Sequence, residues 1–161
     1  MLIEQSQEEL NAAQVIQSKC ELKHVVLANC LVAAFGPEDQ FKAPFKLNFT
    51  HECSAKLNDR NLAINAVFDF KSIDASEGAA PVFNLRCVYE LAYSLEEGCS
   101  PNTSQIDAFK KGNAVFNCWP YVREFVQNIT ARMGFQPPPL PLLRVKLKQE
   151  TKSPAPVAVN P

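Results

Sequence analysis

The chain has 161 residues, 47% hydrophobic and 20% charged, with 16 Lys+Arg against 17 Asp+Glu for a net charge of -1. That length fits one domain around one core, and the balanced charge excludes both the basic footprint of a nucleic-acid binder and the acidity of a polyanion mimic. The longest largely apolar stretch, Val25 to Phe35, has 11 residues and includes Asn29, short of the roughly 20 that a membrane-spanning helix needs.

The opening MLIEQSQEEL is acidic and polar, where a secretory signal would be basic and then apolar, so the expected location is the cytoplasm. From Glu4 to about Glu21 there is no Gly or Pro, and the composition predicts a helix with a thin apolar stripe of Leu10, Ala13 and Ile16. Four strand-like runs follow. The first, Val25 to Phe35, is apolar on both faces, which places it in the centre of a sheet or leaves its second face to another copy of the chain. In the second, Phe45, Leu47, Phe49, His51 and Cys53 alternate with polar residues; in the third, Leu62, Ile64, Ala66, Phe68 and Phe70 share one face. The fourth runs from Phe83 to Leu95, with Asn84, Arg86, Val88 and Glu90 opposite its apolar side. Such alternation describes an antiparallel sheet covered on one face.

Asn58-Asp59-Arg60-Asn61 reads as the turn of a hairpin, while the connection from Gly36 to Pro44 is longer and is bracketed by Phe35, Phe41 and Phe45. Those aromatics either plug the end of the core or form a recognition surface. Ser104 is the expected N-cap of a short helix ending near Gly112. A longer helix is expected with Asn117 as its cap, Pro120 in its first turn and Gly134 as its stop. On it Cys118, Trp119, Tyr121, Val122, Phe125, Val126, Ile129 and Met133 span an arc of about 160°, wider than the stripe of a surface helix, so one sheet cannot cover it. Seven of the 12 prolines fall between Pro137 and Pro161, which predicts an extended segment and then a disordered tail from about residue 149.

The six cysteines contain no CxxC spacing and read as reduced, small, buried hydrophobes. The two histidines, His24 and His51, have no nucleophile or metal motif around them, and neither HExxH nor a Gly-rich phosphate loop is present. The expectation is a protein that is not an enzyme, with no catalytic residue, metal or cofactor. An enzyme using His51 or a cysteine is the competing class.

The run NCWPYVREFVQNITARMGFQPPPLPLLRV, Asn117 to Val145, resembles the signature region of the SecB family of cytosolic export chaperones. Pro120, Tyr121, Arg123, Glu124, Gly134, Phe135, Leu140 and Pro141 carry the resemblance. It implies an α+β fold with a four-stranded antiparallel sheet, a long C-terminal helix on one face and a short N-terminal helix. The expected division is a helical extension over 1–22, a chaperone domain over 23–148 and a Pro-rich tail over 149–161. By the same resemblance the chain is a non-enzymatic holdase for unfolded polypeptides such as preproteins, assembled as a homotetrameric dimer of dimers with the long helices at the interface. Candidate client contacts are Phe35, Phe41, Phe45, Trp119, Tyr121 and Phe125. Family members that serve export dock on the SecA translocase motor through acidic residues of the open sheet face; here the corresponding positions are Asn84, Arg86, Val88 and Glu90, with a cation at 86. Together with a basic, Pro-rich ending, this resembles the SecB-like chaperones of toxin-antitoxin systems and implies, as the alternative, a single dedicated client such as an antitoxin.

Overall fold

A computed structural model describes residues 2–35, 45–74 and 82–148, with the side chains of residues 45, 46, 73 and 74 left out. In chain order the elements are β1 (Leu2–Gln5), α1 (Gln7–Gln17), β2 (Cys20–Ala34), β3 (Phe45–Asn58), β4 (Asn61–Asp74), β5 (Phe83–Leu95), α2 (Thr103–Phe109), a π-helical turn (Lys110–Ala114), α3 (Val115–Arg132) and β6 (Arg144–Leu147). Four strands form an antiparallel sheet in the order β2-β5-β4-β3, and β1 pairs in parallel with β6 in a separate two-stranded sheet.

Alternation in β4 and β5 sets which side is covered. Leu62, Ile64, Ala66, Phe68 and Phe70 of β4 and Phe83, Leu85, Cys87, Tyr89, Leu91, Tyr93 and Leu95 of β5 are all buried. Against them α3 places Val115, Cys118, Trp119, Val122 and Val126. Each such aliphatic or aromatic side chain removed from water contributes about 1.5–3 kcal/mol. Aromatic contacts fix the layers: the Trp119 ring lies 5.5 Å from Phe49 and 6.0 Å from Phe68, and Phe109 meets Tyr93 edge-on at 5.1 Å. The hairpin between β3 and β4 closes at Asn58 opposite Asn61, with Asp59 at φ 54, a conformation that Asp tolerates better than most residues.

Three expectations need correction. The N-terminal helix does not begin at Glu4, because Leu2–Gln5 is a strand whose backbone is occupied by β6, with Ile3 opposite Val145. Ser6 then starts α1: its Oγ accepts from the Glu9 N–H at 3.1 Å while its own N–H donates to the Glu9 carboxylate at 2.8 Å, a reciprocal capping box. Far from standing apart, Ile3, Ala13 and Ile16 join the main core.

The run from Val25 is not central. β2 is 15 residues long and lies at the edge of the sheet, pairing with β5 alone. Its apolar residues are therefore exposed on both sides: Val26 and Leu31 beside the open face, Leu22 and Leu27 on the core-facing side.

Nor are there two separate helices after the sheet. Asn102, not Ser104, caps α2, accepting from the Gln105 N–H at 2.9 Å. The π turn then joins α2 to α3 without a break, its residues on either side staying helical. Asn117 lies inside α3, where its side-chain amide donates to the Tyr93 hydroxyl at 3.1 Å. Pro120 consequently sits well inside the helix and withholds a donor from the Phe116 carbonyl. The stop at Gly134 is as expected: with φ +83 it lets the Phe135 N–H reach the Thr130 carbonyl at 3.0 Å and its own N–H reach Ala131 at 3.1 Å. This pair of bonds is the Schellman arrangement.

Candidate client-binding surface

The surface is built by what α3 cannot bury. Only one side of that helix meets the sheet, so Tyr121 is 49% exposed and Phe116 is 55% exposed, with Pro120 also exposed between them in sequence. Phe125, one turn beyond Tyr121, is half-buried against the edge of the core. Tyr121 is fixed in place by its backbone, whose carbonyl accepts the Tyr89 hydroxyl at 3.1 Å. Phe35 follows the end of β2, 47% exposed, its N–H donating to the Val82 carbonyl at 2.7 Å.

The six expected client contacts are thus spread over different environments. Phe35 and Tyr121 are exposed, and Phe125 is partly so. Trp119 is 3% exposed, its indole N–H donating to the Pro141 carbonyl at 3.0 Å, so the structure puts this ring in the core. Phe45 opens β3 opposite Asp74, and its side chain is outside the described residues, as is the whole of Phe41. Of the motif residues, Gly134 makes the helix stop and Phe135 is buried, its ring 5.0 Å from Phe83. Glu124 is exposed and accepts from the Asn128 amide. Arg123 is half-buried, with its Nε enclosed and unpartnered among the described residues.

Sequence reasoning missed a second apolar region. Leu10 and Ala13 of α1, Phe116 of α3, and Val145 and Leu147 of β6 line a groove of about 460 Å³. Val145 and Leu147 do alternate with Arg144 and Lys146, but four residues are too few to separate a strand from an extended tail. On β2, Val26 and Leu31 add exposed apolar surface at the sheet edge.

The open sheet face carries mixed charge. Arg86 forks onto Asp69 of β4, with Nη1 at 3.3 Å and 3.1 Å from the two carboxylate oxygens, and Glu90 stands 4.0 Å from His24. Asn84 and Val88 complete this row, half-buried, and the Asn84 Oδ1 is enclosed without a partner among the described residues. Partial desolvation lowers the pKa of His51, an exposed residue whose ring lies 6.0 Å from Phe68. Among the described residues no cluster of three His, Cys, Asp or Glu side chains could hold a metal ion, and no helix is long and apolar enough to cross a membrane.

A four-stranded antiparallel sheet with a long helix across one face and a short helix before it defines a SecB-like α+β fold. Among solved structures it is similar to the Mycobacterium tuberculosis Rv1957 SecB-like chaperone, in complex with a ChAD peptide from the Rv1956 HigA1 antitoxin. That likeness has a TM-score of 0.73 and covers 83% of this chain and 97% of that one at 13% identity. A Streptococcus agalactiae protein of unknown function is a weaker match, with a TM-score of 0.47 at 14% identity over 77% of this chain and 98% of that one. At such identities the shared property is the fold. No protein-family description and no curated protein matches the sequence.

Proposed function

We propose that this protein is a non-enzymatic molecular chaperone that holds non-native polypeptide segments through exposed apolar side chains. The observation that carries the reading is the likeness over nearly the whole of a SecB-like chaperone seen with a bound peptide. The surface supports it physically: Phe35, Phe116 and Tyr121 offer aromatic area with few fixed polar anchors, and such a surface accepts varied sequences. Phe35, Tyr121 and Phe125 are the contacts we assign to the client, and Phe41 and Phe45 are proposed with them from the sequence alone. Trp119 supports it from below.

The peptide seen on the similar chaperone comes from an antitoxin. That favours one dedicated client over general service to exported preproteins. The pairing of Arg86 with Asp69 on the open face points the same way, because the cation at 86 neutralises one of the carboxylates there. By the resemblance of Asn117 to Val145 to the SecB family, the working form is a cytoplasmic homo-oligomer.

The test is dilution of a chemically unfolded, export-type polypeptide from denaturant into a stoichiometric amount of the purified protein, followed by light scattering. A promiscuous holdase suppresses aggregation, and Phe35→Ser with Tyr121→Ser abolishes suppression while circular dichroism stays unchanged. Failure at several-fold excess removes the general form; failure also on an antitoxin-type client would remove the chaperone reading altogether.

A further inference from the structure

Six thiols in one small chain are distributed unevenly once the strands are paired. Cys30 of β2 stands directly opposite Cys87 of β5 in the antiparallel ladder. Directly opposed residues share a face of the sheet, so both side chains project to the core-facing side. Cys87 is fully buried there, while Cys30 is exposed, because β2 is the edge strand.

Opposed positions of an antiparallel pair hold Cα atoms about 4.5–5.5 Å apart, inside the roughly 4.4–6.8 Å across which a disulfide closes. Their Cβ atoms, about 4.5–5.5 Å apart, need approach by no more than about 1–2 Å to reach the mean for a disulfide. β2 can give that movement, since it is held by a sheet neighbour on one side only and its ladder already shifts register between Leu27 and Asn29.

We infer that Cys30 and Cys87 form an oxidisable dithiol, a modification site for hydroperoxides that closes to a cross-strand disulfide. In the first step the exposed Cys30 thiolate attacks one oxygen of hydrogen peroxide; the O–O bond breaks, giving Cys30 sulfenic acid and hydroxide, which takes up the proton released by the thiol to become water. In the second the Cys87 sulfur attacks the sulfenic sulfur; the S–S bond forms, and the hydroxyl leaves as water with the Cys87 proton. One peroxide is reduced and two thiols are oxidised, with two waters formed. Burial pushes the Cys87 thiol up to about 12, so the second step quickens as pH rises. Nothing in this chemistry depends on the chaperone reading.

Native protein is treated with hydrogen peroxide, its remaining thiols are alkylated after unfolding, and it is cut after Lys, Arg and Glu, which separates Cys87 from Cys99. The expected result is the loss of two thiols and one linked fragment pair joining Cys30 to Cys87, reversed by dithiothreitol and absent from Cys30→Ser. Tying the edge strand to its neighbour also raises the thermal midpoint of the oxidised form, by roughly 5–10 °C. Several outcomes would overturn the assignment: no thiol lost, Cys30 carried to the sulfinic acid without a link, Cys30 joined to Cys30 of another chain, or Cys20 joined to its neighbour Cys99 in preference.

Discussion

Gly112 lies in the π turn, and a methyl carbon built on it would stand 2.5 Å from Oε1, 2.8 Å from Nε2 and 2.9 Å from Cδ of Gln5. Gln5 is 1% exposed and its amide donates to the Ala108 carbonyl at 3.2 Å, so moving it aside gives up that buried hydrogen bond. In an ordinary helix Gly→Ala stabilises by about 1 kcal/mol. Here Gly112→Ala forces overpacking, at about 1–3 kcal/mol, and displaces a buried hydrogen-bonded amide, at about 1–3 kcal/mol. The net expectation is a loss of about 2 kcal/mol. The double-mutant cycle isolates the cause, because Gln5→Ala removes the obstructing amide. In that background Gly112→Ala should be neutral or stabilising by up to about 1 kcal/mol, so the two changes couple by about 2–3 kcal/mol. Urea denaturation of the four proteins at one fixed concentration measures it. Equal costs for Gly112→Ala in both backgrounds, within about 0.5 kcal/mol, would show that the close approach to Gln5 has no energetic consequence.

Three further expectations concern caps and charges. The Lys111 ammonium, 2.6 Å from the Glu9 carboxylate, and the Ser6 N–H hold the Glu9 pKa below its usual value. Because the folded pKa is the depressed one, this stabilisation is present above the unfolded carboxylate pKa and is lost as pH falls through the folded one. The urea midpoint of the parent should thus drop more steeply below about pH 4.5 than that of Glu9→Gln. For His51, exposed but partly desolvated against Phe68, the neutral ring is favoured, so the unfolded chain takes up the proton first. Stability then declines as pH falls below about 6.5, and His51→Phe flattens that decline in the same titration. Gly134→Ala should cost about 1–2 kcal/mol in urea denaturation, since its φ of +83 disfavours any L side chain while a Cβ there meets nothing within 4 Å. A cost near zero would mean the helix end rearranges.

The sheet was legible because burial on one side writes a period of two into β3, β4 and β5, and the Asp59 turn and the Gly134 stop are local signals that need no tertiary context. What escaped reading depends on distant partners. Leu2–Gln5 has the composition of a helix start and becomes a strand only because residues 144–147 lie beside it. Asn117 has the chemistry of a cap, yet the π turn carries the helix past it to bury Val115 and Ala114. β2 is apolar enough for a central strand, and hydropathy cannot tell a core neighbour from a missing one. The exposure of Tyr121 and the half-burial of Phe125 were legible from the over-wide arc of α3. Trp119 lies on the same arc but faces Phe49 and Phe68, a distinction that composition does not carry. Phe116 was outside the helix as read, so its exposure could not be anticipated.

The parallel pairing of β1 with β6 has a consequence for the order of assembly. Ile3 meets Val145, and the Lys148 N–H donates to the Gln5 carbonyl at 2.9 Å. On a ribosome adding roughly 5–20 residues per second, the first of these strands waits ~7–30 s for the second to be synthesised. Through that interval the antiparallel sheet can close, but β1 has no partner strand for its backbone. The nascent chain therefore carries an open seam at Leu2–Gln5 until residues 144–147 have been translated, and a ribosome stalled before residue 144 would present that seam to proteases.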